Sequence, residues 1–456
     1  MNTPVYDFVS RYISSDVSRL HMPGHKGVKR LGIEDRDITE IQGADVLYEA
    51  SGILAHSEEN AAALFGTGRT VYSTEGSSHV IKAMLYLALL RWRGSRQKAQ
   101  RPVLLAARNA HKALLYAAAL LDFDIEWLYP EQLDLRSICS CHPSPATVRQ
   151  ALDARPDRPF AVYLTSPDYL GFHADVRAIS AVCAEFELPL LIDNAHGAYT
   201  HFLETPQHPM DLGAYLCADS AHKTLPCLTG GAYLHMSAEA AAELGGEAND
   251  ALALFGSTSP SYLILQSLDL CNAYIAEGYP ERLAERIGRL NQIKARLRER
   301  GARILETEPL KLTVDTAALG MTGSALAETL RQHRIEAEFA DLQYLVLMFT
   351  PDNAERDLQR VEDCLSKAVM ERTGKQSELP PLLLKPLQRV MPIREAIVSP
   401  HRRVPIECAV GKICGQPSVS CPPAIPIAVS GERLERAILP TFQAYGVTEI
   451  SVVTES

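Results

Sequence analysis

Residues 214–235 read AYLCADSAHKTLPCLTGGAYLH: two short apolar runs, 214–219 and 231–235, flank a turn of small and polar residues that carries His222 and Lys223. Apolar runs of this length, bounded by turn residues, predict strands buried on both faces. A lysine in such a turn has sheet ends and loops for walls, which is not a natural place for a surface lysine. Its amine suits Schiff-base chemistry.

Matching runs lie upstream at 102–107 (PVLLAA), 160–165 (FAVYLT) and 188–193 (LPLLID), with helix-compatible segments between several of them. The alternation predicts an α/β fold around a mostly parallel sheet covered on both faces. From about 262 a stretch rich in Leu, Ala, Glu and Arg, interrupted at Gly278 and Pro280, runs to Arg300 and reads as a helical connector. KLTVD (311–315), a helix at 324–333, YLVLMFTP (344–351) and a helix at 354–370 make a second, smaller α/β unit, and the polar segment 373–381 reads as a linker. The division that follows is an N-terminal segment over 1–60, a large domain over 61–260, the connector with a small α/β domain over 261–372, and a C-terminal unit over 382–456.

With 46% hydrophobic and 22% charged residues in 456, the chain is an ordinary folded protein; wholesale disorder and fibrous repeats are excluded. A net charge of −10 supplies no positive field for nucleic acid. It mildly favours a cationic small molecule, although the same charge serves solubility alone. The start, MNTPVYDFVSRY, lacks the basic and apolar regions of a signal peptide, and the apolar stretches 81–90 and 113–121 are too short to span a membrane. A cytoplasmic protein is expected, and its ten cysteines are read as thiols. Cys139, Cys141 and His142 form the one tight cluster, with the wrong spacing for zinc, so no metal is expected.

Asp193 ends the 188–193 run and is followed by Asn194-Ala195-His196-Gly197. At carboxyl ends of strands in an open sheet, such an acid and Lys223 would both face a ligand. Together they suit pyridoxal phosphate, whose aldehyde needs an amine and whose pyridine nitrogen needs a carboxylate. As a bare pair they are weak evidence; the His-Lys and Ala-His-Gly contexts strengthen it. Ser73-Thr-Glu-Gly76-Ser77-Ser78 opens a helical run and offers hydroxyls and backbone N–H groups to a phosphate, though taken alone it is equally a helix cap. His111 follows the 102–107 run, where its ring can stack on a cofactor or simply lie at the surface.

Three long motifs in order, His21-Met-Pro-Gly-His25-Lys-Gly27, Asp193-Asn-Ala-His196-Gly197 and Ser220-Ala-His222-Lys223-Thr-Leu-Pro226, resemble the Orn/Lys/Arg decarboxylase family. The likeness continues through Ser257-Thr258-Ser-Pro-Ser-Tyr262, Glu407-Cys-Ala-Val-Gly411, Pro422-Pro-Ala-Ile-Pro426 and Gly431-Glu432. The resemblance implies a pyridoxal-phosphate enzyme of the aspartate-aminotransferase fold (fold type I), with a C-terminal α+β domain. Because the first motif begins at residue 21, it further implies the short form without a flavodoxin-like wing, and a homodimer or dimer-based oligomer with shared sites. The implied activity is decarboxylation of arginine, lysine or ornithine to agmatine, cadaverine or putrescine, as in polyamine biosynthesis, with arginine favoured.

Carried over by position, the resemblance makes Lys223 the Schiff-base lysine, Asp193 the partner of the pyridine nitrogen and His111 the stacking ring. Gly76, Ser77, Ser78, Ser220 and His222 would hold the phosphate, with Ser257 and Thr258 reaching it from a neighbouring subunit. His196 would sit near the cofactor's phenolic oxygen or the reacting carboxylate, and Thr165 at the ring edge. Glu432 is the candidate for the cationic substrate tail, by resemblance and by charge; as a residue it is equally a surface glutamate. Two departures stand out: Glu75 replaces the family's usual Asn beside the cradle, and Asn194 replaces its usual Glu. Transamination is the alternative within the same chemistry, although no motif singles out Arg331 or Arg334 as its carboxylate clamp. A non-catalytic homologue that binds polyamines or a partner is the alternative outside it.

Overall fold

The computed structural model describes residues 1–95, 101–130, 137–371, 386–419 and 424–454; the linker reading at 373–381 and Pro422-Pro423 lie outside them. The chain divides into two compact units, Met1–Lys98 with Glu187–Leu283, and Ala99–Phe186 with Ala284–Ser456.

Seven strands carry the α/β pattern: β1 (Arg69–Ser73), β2 (Val103–Ala107), β3 (Asp124–Leu128), β4 (Ala161–Thr165), β5 (Leu190–Asp193), β6 (Leu216–Asp219) and β7 (Ala232–Met236). The five apolar runs of the sequence form β2, β4, β5, β6 and β7. The two additional strands, RTVYS and DIEWL, interleave charged or hydroxyl residues with apolar ones and so lack a continuous apolar signature.

In the first unit the strand order is β1-β7-β6-β5. Strands β5 and β6 are parallel, with Asp193 opposite Ala218, whereas β7 is antiparallel to both β6 and β1. The connection 220–231 holds only the short helical turn Ala221–Thr224 and no crossover helix, so β7 returns beside β6 in the opposite sense. That return loop is what presents Lys223.

Helix α1 (Pro4–Ser14) and helix α2 (Ile53–Phe65) pack in this unit with the helix Tyr262–Ala276. The buried Asp269 carboxylate joins them: it accepts from Val5 N and Tyr6 N at 2.9 and 3.0 Å, amides of the α1 first turn that have no partner within the helix, and from Ser57 Oγ at 2.6 Å. Helix α3 (Ser77–Ser95) buries Val80, Ile81, Met84, Leu85, Leu87 and Leu89. At about 1.5–3 kcal/mol for each large side chain, this burial explains an apolar run that is not a membrane span. No helix among the described residues is long and apolar enough to cross a membrane.

In the second unit the order is β4-β2-β3, all parallel, and helix α4 (Lys112–Leu121) follows β2. Strands β8 (Lys311–Asp315), β9 (Phe339–Ala340) and β10 (Tyr344–Met348) form an antiparallel sheet in the order β8-β10-β9, beside the helices Gly323–Gln332 and Glu355–Met370. Arg296 grips Glu362 of the latter helix through two bonds of 2.6 and 2.7 Å. The C-terminal residues add β11 (His401–Pro405), β12 (Ser418–Val419), β13 (Pro426–Ala428) and β14 (Glu449–Val453), paired β11–β14 and β12–β13. Ile406, Ile427, Phe442 and Val452 build one core there with Ile138, Leu170 and Phe339.

One buried acid gives the first unit a pH-dependent stability. Glu58 of α2 accepts the Tyr72 N–H at 2.9 Å, and burial pushes its carboxyl from the ordinary 4.5 up to about 8. The folded chain therefore holds a proton that the unfolded chain has released. Its stabilising contribution is complete below about pH 4.5 and is lost as the pH rises towards about 8. Glu58→Gln keeps an acceptor for Tyr72 without the titration. Between about pH 5 and 9 its melting temperature is expected to fall several degrees less than that of the unaltered protein. Parallel curves in that melting series would assign the pH dependence to another group.

Candidate active site

Lys223 is half-buried on the Ala221–Thr224 turn, and its Nζ lies 3.0 Å from His196 Nε2. His196 belongs to the turn that leaves β5, closed by Asn194 N–H to Ala218 O and Gly197 N–H to Asn194 O, both 2.9 Å. Asp193, the last residue of β5, is buried, and its Oδ1 accepts the Ala195 N–H at 3.2 Å. The acid, the imidazole and the amine thus come from two adjacent strand ends, as the open-sheet rule requires.

Behind them Asn194 is fully buried and donates from Nδ2 to Asp219 Oδ1 at 2.8 Å. This accounts for one departure from the family pattern: a glutamate here would set a second carboxylate against Asp219. Burial opposes ionisation of Asp219, but His208, at 2.9 Å, and His235 hold its carboxyl well below the usual range. His208, Cys217 and Asp219 also bring three metal-type ligand atoms together. His208 Nδ1, however, accepts the Met210 N–H, so in the neutral ring Nε2 carries the proton and donates to Asp219. That nitrogen has no lone pair for a cation. The Cys139 cluster is not assembled as a ligand set either: the Cys141 thiol donates to Leu128 O, while His142 Nε2 meets Asp168 at 2.7 Å. All nine described cysteines are free thiols.

The 73–78 segment forms a turn into α3. Gly76, at φ +73°, donates its N–H to Gly230 O at 2.8 Å, and Gly230 itself has φ +104°, where a Cβ would come within 2.6 Å of Thr74 O. Ser220 Oγ donates to Ser77 Oγ at 2.7 Å, so hydroxyls from the β6–β7 loop and the α3 N-terminus meet. His222 Nδ1 is 2.9 Å from Gly231 O; a carbonyl only accepts, so Nδ1 carries the hydrogen. Burial holds this ring below its ordinary pKa, assisted by the Lys223 charge. A Cβ on Gly76 would lie 4.0 Å from His222 Cε1, leaving ordinary contact space between the turn and the imidazole.

This donor set fits pyridoxal phosphate: two serines and first-turn amides for the phosphate, an amine for the aldehyde, and a buried carboxylate for the ring nitrogen. Glu75 does not face the cradle as an uncompensated charge. Its Oε1 accepts the Ser257 N–H at 2.6 Å, which ties the Ser257-Thr258 segment to the cradle turn.

The remaining candidates belong to the second unit. His111 caps α4, its Nδ1 accepting the Ala113 N–H at 3.2 Å. Thr165 ends β4, and its buried Oγ1 has no hydrogen-bond partner among the described residues. The loop after it is held by Asp168, whose Oδ1 accepts from Gly171 N and Phe172 N, and by buried Lys311, which donates to the carbonyls of Asp168 and Tyr169. Glu432 is 3% exposed, accepts the Val429 N–H at 2.7 Å and lines a cavity of about 400 Å³ with Trp127, Tyr129 and Arg389. Burial pushes its carboxyl above the usual range against the pull of Arg108. Arg331 is ion-paired with Glu328 and Glu336 on the surface. Sequence reasoning gave no role to His79 or Asp219; His79 reaches Leu252, and Asp219 reaches Asn194 and His208, partners that no local motif signals.

A family model for the Orn/Lys/Arg decarboxylase major domain matches residues 3–312. The arginine decarboxylase of Bacillus subtilis is 28% identical over 94% of this chain and 91% of its own length. That of Halalkalibacterium halodurans is 28% identical over 96% of this chain and 92% of its own length. In fold, the chain is similar to the Francisella novicida lysine decarboxylase LdcF, with a TM-score of 0.81 over 99% of this chain and 81% of that one at 16% identity. The architecture is that of fold type I pyridoxal-phosphate enzymes. The chain belongs to the Orn/Lys/Arg decarboxylase family, which is dependent on pyridoxal phosphate.

Proposed function

We propose that this chain decarboxylates a basic amino acid, arginine ahead of lysine or ornithine, to the corresponding amine, using pyridoxal phosphate held at Lys223. The observation that carries the reading is the 3.0 Å approach of Lys223 Nζ to His196 Nε2 in the unit that also contains Asp193 and the Ser77–Ser220 pair. The arginine preference is supported by the names of the relatives. When bound, the cofactor supplies an electron sink for the carbanion left by departing carbon dioxide.

The chain's own residues do the rest. Ser77, Ser78, Ser220, His222 and the first-turn amides of α3 hold a phosphate, with Ser257 and Thr258 contributing across a homodimer. Asp193 keeps a ring nitrogen protonated. Lys223 and His196 share a proton: as ammonium, Nζ donates to a bare Nε2, and as amine it accepts from Nε2–H. The pair can thus deliver a proton to the carbon that loses carbon dioxide. Leu20 and Leu31, 93% and 86% exposed around the His21–Gly27 motif, support a second copy of the chain covering this surface.

The test is carbon dioxide release by the cofactor-loaded protein from arginine, lysine and ornithine separately, with amines identified by mass. Release from arginine with agmatine is expected; silence from all three overturns the reading. Glu432 is assigned the substrate's cationic tail, which would draw its raised carboxyl back into the ionised form. Glu432→Gln preserves the acceptor for Val429 but not the charge, and is expected to raise KM about tenfold with a smaller change in kcat. An unchanged KM would move the tail elsewhere.

A further inference from the structure

We propose that His79 is a positioning residue for the phosphate cradle, acting through the Ser73 hydroxyl. The inference rests on the cradle reading above and adds a residue that no motif contains.

His79 lies in the first turn of α3 and is 1% exposed. Its Nε2 is 2.8 Å from Leu252 O, and its Nδ1 is 2.8 Å from Ser73 Oγ. A carbonyl only accepts, so Nε2 must carry a hydrogen. Burial holds the ring below its ordinary pKa and keeps it neutral, which leaves Nδ1 bare. Ser73 must then donate its hydroxyl hydrogen to Nδ1. With that hydrogen committed, the lone pairs of Ser73 Oγ remain for the Glu75 N–H, 3.0 Å away. Each donor and acceptor in the chain has one assignment.

The consequence is a fixed turn. The Ser73–Glu75 bond, with Gly76 N–H to Gly230 O, sets the backbone that delivers Ser77 and Ser78 and the free first-turn amides. Leu252 closes the other end: it lies on the helix Ala248–Ala253, just before the segment whose Ser257 N–H is held by Glu75. Gly256 leaves room for this arrangement, because a Cβ there would come 3.0 Å from His79 Cε1 and closer still to Tyr48. Leu252 thus holds the ring in the tautomer that leaves Nδ1 bare, and His79 acts on the cradle through Ser73 alone while touching no phosphate itself.

The two nitrogens can be tested apart in the full chain. Asparagine keeps an acceptor near the Nδ1 position and loses the link to Leu252; glutamine keeps a donor near Nε2 and loses Ser73. The reading is the dissociation constant for pyridoxal phosphate against that for pyridoxal, followed by absorbance, since only the former uses the cradle. His79→Gln and Ser73→Ala are each expected to weaken pyridoxal phosphate about tenfold, leave pyridoxal within about twofold, and be no worse together than singly. His79→Asn is expected to stay near the unaltered protein. Equal losses for both ligands, or no loss in either His79→Gln or Ser73→Ala, overturn the inference. Ser77→Ala with Ser220→Ala is the control: if that pair fails to discriminate the two ligands, the cradle reading itself falls, whereas discrimination there without any in His79→Gln removes only the role of His79.

Discussion

Lys223→Ala protein is expected to lack the visible absorption band of lysine-bound pyridoxal phosphate and to lose about four orders of magnitude or more in kcat. The loss is chemical and not a matter of folding. Lys223 is half-buried on a loop and meets the His196 ring, and the β6–β7 pairing runs through other residues, so truncation leaves that strand pair intact. Lys223→Arg separates charge from nucleophilicity: a guanidinium stays protonated and cannot condense with an aldehyde, so it is expected to be as inactive as alanine despite keeping the positive charge. Absorbance spectra and single-turnover rates of both variants decide the matter. A retained band in either one would remove Lys223 from its role.

Asp193→Asn is expected to keep the cofactor but to lower kcat about 10²–10³-fold. An asparagine oxygen still accepts the Ala195 N–H, so the turn that carries His196 keeps its shape. A neutral amide cannot hold a ring nitrogen protonated, and the negative charge developing beside the reacting carbon loses its sink. KM is expected to move less than kcat, because the role proposed for Asp193 concerns the cofactor ring and not the substrate tail. Near-normal turnover would mean that another group supports the ring nitrogen.

Five of the seven α/β strands were legible because each is a short apolar run buried on both faces, and the burial is visible in composition. β1 and β3 were not, since Arg69, Asp124 and Glu126 interrupt the signal, and their strand state depends on pairing with β7 and β2. The antiparallel sense of β7 follows from the 220–231 connection having no crossover helix, a property of the folded loop. Among the site residues, Lys223, Asp193 and His196 stand in motifs whose residue types follow from the chemistry. The two departures were visible as departures only. Glu75 takes its meaning from the Ser257 amide, and Asn194 from the Asp219 carboxylate.

Residue patterns along the chain were therefore enough for the fold class and the family, and they singled out the lysine and acid proposed above for the chemistry, because buried strands and cofactor chemistry both impose residue types at fixed local spacing. Which groups hold those residues in place follows from packing between distant parts of the chain. His79 with Leu252, Asn194 with Asp219 and Asp269 with the start of α1 are pairs separated along the chain, some of them by very long stretches. A hydrogen bond between such distant residues is fixed by the packing of the elements that carry them, and leaves no period or motif to be read beforehand.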